Sequence, residues 1–149
     1  MDATIRLATI TDTPAVVDMG RKFLLSGPYK DRLGDSPANF FEFTLALISS
    51  PLARVLVAED KSGHPIGVLA FAITPHYLSK ELTANELIWY VEPEYRGQLS
   101  LELFWAAKKM AKELGAIWLQ FTAPDEKAGA IYKRLGLEQL EVGYQMRLV

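Results

Sequence analysis

Residues 86–100 carry a strand-like apolar run into a turn bounded by proline, and they read Glu86-Leu87-Ile88-Trp89-Tyr90-Val91-Glu92-Pro93-Glu94-Tyr95-Arg96-Gly97-Gln98-Leu99-Ser100. The apolar run begins at Leu82 and predicts a β-strand that Glu92-Pro93 closes. A helix is predicted to begin after Arg96-Gly97. A turn between a strand and a helix directs several unpaired backbone N–H groups to one point, where the helix dipole adds about half a positive charge. The stretch therefore predicts either an anion site suited to a pyrophosphate or a strand–turn–helix unit that binds nothing.

The rest of the chain predicts further strands and helices on both sides of this stretch. Before it, the patterns indicate a short strand at 4–8, a helix at 13–25, a loop at 26–35, a helix that begins at Ser36-Pro37 and a hairpin at 53–74. After it, they indicate a helix that ends at Gly115, a short buried strand at 117–121, a helix between Asp125 and Gly136, and a strand at 142–148 that ends the sheet.

The order of these elements predicts the fold class. Antiparallel strands come first and a β-α-β crossover follows, which indicates an α+β fold: a mixed, mostly antiparallel twisted sheet with helices on both faces. The length of 149 residues suits a single domain, residues 1–149. With 50% apolar and 23% charged residues, the composition excludes a disordered chain.

Composition and charge exclude several classes of function. The chain has no cysteine, which excludes disulfides, a thiolate nucleophile and cysteine-ligated metal sites. A net charge of −2 offers no general attraction to nucleic acid, and the apolar runs are shorter than the roughly 18 residues of a membrane span. The first residues lack the pattern of a signal peptide. We therefore expect a cytoplasmic protein whose partners include no nucleic acid and no membrane.

Three segments resemble, in order, motifs of the GNAT superfamily of N-acetyltransferases, which transfer an acetyl group from acetyl-coenzyme A (acetyl-CoA) to an amine. Residues 5–12 resemble the family's first strand and helix entry, 91–97 its fourth strand and the start of its pyrophosphate loop, and 125–137 its terminal helix and turn. The resemblance extends to residues 144–148 and so covers nearly the whole chain. It implies the GNAT acyl-CoA N-acyltransferase fold, acetyl-CoA as cosubstrate and no metal.

The resemblance also implies which residues hold the cosubstrate. The backbone N–H groups of Gln98, Leu99, Ser100 and Leu101 would bind the pyrophosphate, next to Arg96 and Gly97, which match the family's loop. Leu99 and Leu101 depart from that loop, because small residues are usual at their positions. Val91, with its neighbours Trp89 and Tyr90, would pair its main chain with the pantetheine arm. Asp125, where the family usually has Asn, completes the cofactor-binding set.

Two residues are candidates for the chemical step. Tyr132 matches the position that the family uses as an acid, and a tyrosine with a pKa of about 10 stays protonated at neutral pH and can donate to a departing thiolate. Its other interpretation is a core residue in the apolar stripe of its helix. Glu86 resembles the family's strand glutamate that acts as a base, directly or through water. Apolar neighbours such as Trp89 would raise its pKa, but it could instead point to solvent or orient a cationic substrate.

These observations favour an acetyl-CoA-dependent N-acetyltransferase that acetylates a primary amine by direct attack in a ternary complex, since no cysteine can carry the acetyl group. We expect the acceptor to be a small-molecule or peptide amine. The alternative is a catalytically weak or inactive module with this fold that acts through coenzyme A or protein binding. Trp105 falls partly outside the apolar stripe of its predicted helix, so it indicates a homodimer surface or covers its own helix.

Overall fold

The computed structural model describes residues 3–149 and contains one five-stranded sheet with the strand order β1-β2-β3-β4-β5. The strands are β1 (Thr4–Leu7), β2 (Ala53–Glu59), β3 (Pro65–Pro75), β4 (Leu82–Val91) and β5 (Trp118–Gln120). The helices are α1 (Thr13–Ser26), α2 (Pro37–Ser49), α3 (Gln98–Glu113) and α4 (Glu126–Arg134), with short 3-10 turns at Ile10–Asp12 and Pro93–Tyr95.

The sheet is mixed, as the order of elements predicts. Strands β1 to β4 pair antiparallel with their neighbours in sequence. Strand β5 pairs parallel with β4, and α3 forms the crossover between them. The α+β class and the mostly antiparallel sheet are therefore confirmed.

The helix ends form where the sequence predicts them. Ser36 precedes α2 and its Oγ accepts a hydrogen bond from the Asn39 backbone N–H at 3.4 Å. Asp125 caps α4 in the same way, with its Oδ1 accepting from the Ala128 N–H at 2.8 Å. Such side-chain acceptors satisfy N–H groups that have no partner within the first helical turn. Gly115 lies in the left-handed region with φ of 89°, which allows the chain to leave α3.

Helices cover both faces of the sheet, which explains the long apolar runs in β2 and β3. On one face, Val16 and Met19 of α1 pack against alternate residues of the central strands, among them Val57. On the other face, Leu99 and Leu103 of α3 pack in a cluster that includes Leu56, Leu69 and Phe71. Strands buried on both faces lose the apolar–polar alternation of a half-exposed sheet. None of the helices within residues 3–149 has the length and apolar character needed to cross a membrane.

Two predictions for the residues after α3 are wrong. The strand at 117–121 is predicted to be buried, but Trp118 is 59% exposed because β5 is the last strand of the sheet and has a neighbour only in β4. The alternation at 142–148 predicts a strand, but residues 137–149 form none. A strand needs a neighbour that accepts and donates its backbone hydrogen bonds, and alternation alone does not say whether one is available. We call residues 138–149 the arm.

Candidate active site

A β-bulge in β4 sets the direction of the side chains that matter most. Ala70 pairs with Ile88 and Phe71 pairs with Glu86, so Leu87 is an extra residue in β4. Regular alternation would place Glu86 and Trp89, three residues apart, on opposite faces. The bulge places both on the face that α3 covers. Bulges redirect side chains in this way and are common beside active sites.

The edge of β4 that faces β5 is open over most of its length. The two strands pair only through Thr83, Ala84 and Asn85, opposite Trp118 to Gln120. From Glu86 to Val91, β4 continues with no strand of the described chain on this side. Because β5 ends at Gln120, β4 has a free backbone edge that runs from Glu86 toward the start of α3.

Four aromatic rings form a cluster around Trp89 of β4. Trp89 stacks on Tyr132 with ring centroids 5.8 Å apart and an interplanar angle of 15°. Trp89 also contacts Phe104 of α3 at 5.8 Å and Phe121, which follows β5, at 5.5 Å. Phe121 in turn meets Tyr132 edge-on at 5.6 Å. The sequence gives no signal for a role of Phe104 or Phe121, because aromatic residues in a helix or after a strand usually pack in the hydrophobic core.

Tyr132 is buried in this cluster, and its hydroxyl donates a long hydrogen bond of 3.4 Å to the backbone carbonyl of Thr122. Burial raises the pKa of the Tyr132 hydroxyl, and the negative charges of Glu86 and Asp125 raise it further. The hydroxyl therefore keeps its proton throughout the physiological pH range.

Glu86 is partly buried, and burial raises the pKa of its carboxyl group from 4.5 to about 7. The direction of this shift agrees with the expectation from its apolar neighbours. At physiological pH, a carboxyl group with a pKa near 7 is partly ionised and can accept a proton. Its carboxylate is also a stronger base than one with an ordinary pKa.

Backbone N–H groups are available at the start of α3. Gly97 precedes the helix with φ of 105°, and no side chain caps the first turn. The N–H groups of Gln98, Leu99 and Ser100 therefore point away from the helix without a helical acceptor. Leu101 differs from the prediction, because its N–H already donates to the Gly97 carbonyl at 3.3 Å. The Leu99 side chain is 1% exposed and lies in the core, so it does not cover the N–H groups of the first helical turn.

Three other predicted cofactor-binding side chains have structural contacts. The Arg96 Nε donates to the Val91 carbonyl at 2.7 Å, and the guanidinium lies 5.3 Å from the centre of the Tyr90 ring. Tyr90 lies on the α1 face of the sheet, opposite Trp89. The Asp125 carboxylate is used as the cap of α4. These contacts fix the Arg96 and Asp125 side chains through the Arg96 Nε and the Asp125 Oδ1.

The architecture matches a known family. The family model described as Acetyltransferase (GNAT) family matches residues 21–137. The chain belongs to the GNAT family. No curated protein matches the chain significantly. Residues 3–149 contain no cluster of three or more His, Asp or Glu side chains that could hold a metal ion.

Solved structures show the same GNAT fold at low sequence identity. A transcriptional regulator from Bacillus halodurans C-125 superimposes with a TM-score of 0.80 at 23% identity, over 98% of this chain and 99% of its own. A predicted acetyltransferase from Clostridium acetobutylicum, crystallised with acetyl-CoA, has a TM-score of 0.80 at 18% identity, over 98% and 96%. Glucosamine-6-phosphate N-acetyltransferase from Arabidopsis thaliana has a TM-score of 0.75 at 15% identity, over 100% of both chains. These likenesses establish the fold.

Proposed function

We propose that this GNAT protein transfers the acetyl group of acetyl-CoA to a primary amine by direct attack in a ternary complex. The observation that carries the proposal is that Glu86 and Trp89 share a face of β4 where its edge is open, that Tyr132 of α4 stacks on Trp89, and that β4 leads to the unpaired N–H groups of α3. Membership of the family and the acetyl-CoA in the Clostridium acetobutylicum structure support the choice of cosubstrate.

The chain offers main-chain groups that fit acetyl-CoA. The N–H groups of Gln98, Leu99 and Ser100 would donate to the pyrophosphate, aided by the dipole of α3. The main chain of β4 around Trp89 and Val91 has an open edge on which an extended pantetheine arm could pair as an added strand. When bound, acetyl-CoA supplies a thioester whose carbonyl carbon an amine can attack.

Glu86 would prepare the acceptor. A primary amine is mostly protonated at neutral pH and cannot attack until it loses a proton. With a pKa of about 7, the Glu86 carboxylate would accept that proton directly or through one water. The neutral amine then forms the N–C bond.

Tyr132 would assist the departure of the thiol. As the C–S bond breaks, its hydroxyl would turn from the Thr122 carbonyl, a hydrogen bond of only 3.4 Å, toward the sulfur. Because the Tyr132 pKa is raised, the hydroxyl would stabilise the leaving thiolate as a hydrogen-bond donor and keep its own proton. The thiolate would take up, through solvent, the second proton that the attacking nitrogen loses when the amide forms. An ammonium ion and acetyl-CoA thus yield an amide, the free thiol and one proton.

Thermal unfolding in the presence of acetyl-CoA tests whether the protein binds the cosubstrate. Together with a turnover assay, it distinguishes an acetyltransferase from an inactive module with the same fold. At acetyl-CoA concentrations near 100 times the Kd, we expect an increase of about 2.7 kcal/mol in stability and several degrees in the unfolding midpoint. Adenosine monophosphate at the same concentration should have little effect, because it lacks the pyrophosphate and the arm. No shift at millimolar acetyl-CoA would contradict the proposal. Protection without amine-dependent turnover would indicate the alternative, a module that binds coenzyme A.

A further inference from the structure

The segment between β4 and α3, residues 92–97, is tied to α1 by an ion pair. We call this segment the turn. The Nζ of Lys22 in α1 lies 2.7 Å from the Oε1 of Glu92, across 70 positions of the chain. The Glu92 side chain is 18% exposed, so its carboxylate is largely removed from water. Lys22 also contacts Asp18, one helical turn earlier, at 3.2 Å. The ammonium group thus pairs with one carboxylate of its own helix and one of the turn.

Glu92 belongs to a series of contacts that spans the turn. Its Oε2 accepts a hydrogen bond of 3.4 Å from the hydroxyl of Tyr90, which is buried on the α1 face of the sheet. The Arg96 guanidinium lies over the Tyr90 ring, and its Nε donates to the Val91 carbonyl. Tyr95 packs against the core on the α3 face. The turn is therefore held at its beginning by α1 and near its end by β4.

The turn determines where the N–H groups at the start of α3 point. Only Gly97 separates Arg96 from the first residue of α3, and no side chain caps the N–H groups of residues 98–100. A change in the direction of the turn would move these donors together. Donors that are already oriented bind an anion more tightly, because binding then carries no free-energy cost for ordering them.

The charge of Glu92 has the wrong sign for a pyrophosphate site. Glu92 lies six positions before Gln98 in the chain, and a carboxylate near such a site repels the ligand unless a cation neutralises it. Lys22 supplies that cation. Isolated ion pairs on a protein surface contribute little, but a pair within a network of several groups contributes more. The pair therefore makes Glu92 a fixed contact of the turn rather than a free charge beside the ligand.

We propose that Lys22 is a positioning residue for the cosubstrate. Through Glu92, it holds the turn in the orientation that presents the N–H groups of α3 to the pyrophosphate. The inference rests on the proposed function, because it takes acetyl-CoA to bind at this turn. Without the ion pair, the turn samples other orientations, and the apparent Kd rises as the fraction of molecules with the competent orientation falls.

Calorimetric titration with acetyl-CoA tests the role of Lys22. Lys22→Met keeps the aliphatic stem and removes the ammonium group, so we expect the Kd to rise by about three- to tenfold. Lys22→Arg keeps the charge and a donor for Glu92, and it should return the Kd to within about twofold of the wild type. The matched control is Arg21→Met. Arg21 is the preceding residue of α1, has the same charge and pairs with Asp35 at 2.6 Å. This control should change the Kd by less than about twofold.

Glu92→Ala distinguishes positioning from simple attraction between charges. If Lys22 only attracted the phosphate groups, Glu92→Ala would remove a negative charge and lower the Kd. Positioning predicts the opposite sign: Glu92→Ala should raise the Kd about as much as Lys22→Met does, and the double variant should bind no more weakly than either single variant.

Three results in a protein that binds acetyl-CoA would overturn the role of Lys22 alone. They are an unchanged or lower Kd in Glu92→Ala, a Kd in Lys22→Met equal to that in Arg21→Met, and additive effects in the double variant. A wild-type protein that binds no acetyl-CoA would overturn the proposed function and this inference together.

Discussion

Tyr132 packs in parallel with Trp89, and its hydroxyl makes only one long hydrogen bond, to Thr122. Tyr132→Phe keeps the ring stack and removes the hydroxyl alone. If the hydroxyl assists the departure of the thiol, turnover should fall by about 10²–10⁴, with little change in acetyl-CoA affinity or in the unfolding midpoint. The exposed Tyr77 provides the control variant Tyr77→Phe, which should keep full turnover. A near-normal rate in Tyr132→Phe would contradict the catalytic role of the hydroxyl and leave Tyr132 only its packing role.

Glu86 should make the folded protein less stable at neutral and higher pH. Its folded-state pKa of about 7 lies above the ordinary value of 4.5, so the folded state holds the proton more tightly than the unfolded state does. Its unfavourable contribution to folding is therefore absent at low pH, grows between pH 4.5 and pH 7, and is constant at higher pH.

The substitution Glu86→Gln removes this titration while keeping the size of the side chain. Urea unfolding should show the variant more stable than the wild type at pH 8, by at most about 3 kcal/mol, and much closer to it at pH 4. A stability difference that is the same at both pH values would mean that the carboxyl group is not perturbed by burial.

At the scale of single elements, the start of α3 supports a prediction about main-chain binding. Ser100→Pro removes one of the three available N–H groups, and the first turn of a helix tolerates proline. Ser100→Ala removes only the hydroxyl. We therefore expect Ser100→Pro to weaken acetyl-CoA binding by tenfold or more in calorimetry, and Ser100→Ala to change the Kd by less than threefold. Equal effects of the two substitutions would contradict binding through the main chain.

Most of the elements could be predicted from the sequence, because their signals are local. Proline after a cap residue marks the start of α2, Asp125 marks α4, and positive-φ glycines mark the ends of α3 and α4. The bulge at Leu87 could not be predicted in this way, since a bulge is a relation between β4 and β3 and no residue type requires it. With regular alternation, Glu86 and Trp89 would lie on opposite faces of the sheet. Their placement on one face therefore depends on the extra residue Leu87.

At the scale of the whole molecule, the sequence predicts the sheet, the helices on both faces and the candidate pair Glu86 and Tyr132. It does not predict that the pairing of β4 with β5 stops at Asn85, because pairing between distant strands depends on the packing of the entire fold. The arm shows the same limit. Its alternation indicates a strand, but the neighbour of that strand is not fixed by the alternation.

The release of free coenzyme A thiol from acetyl-CoA, followed against pH with saturating amine, tests the proposed activity most directly. Candidate acceptors are a polyamine, an amino acid, an aminoglycoside and a peptide with a free N-terminus. With at least one of them, the wild-type rate should rise through an apparent pKa near 7, where Glu86 loses its proton. Glu86→Gln should be slower and lack that limb. Thiol release that no amine accelerates, from a protein that acetyl-CoA does not stabilise, would contradict the account.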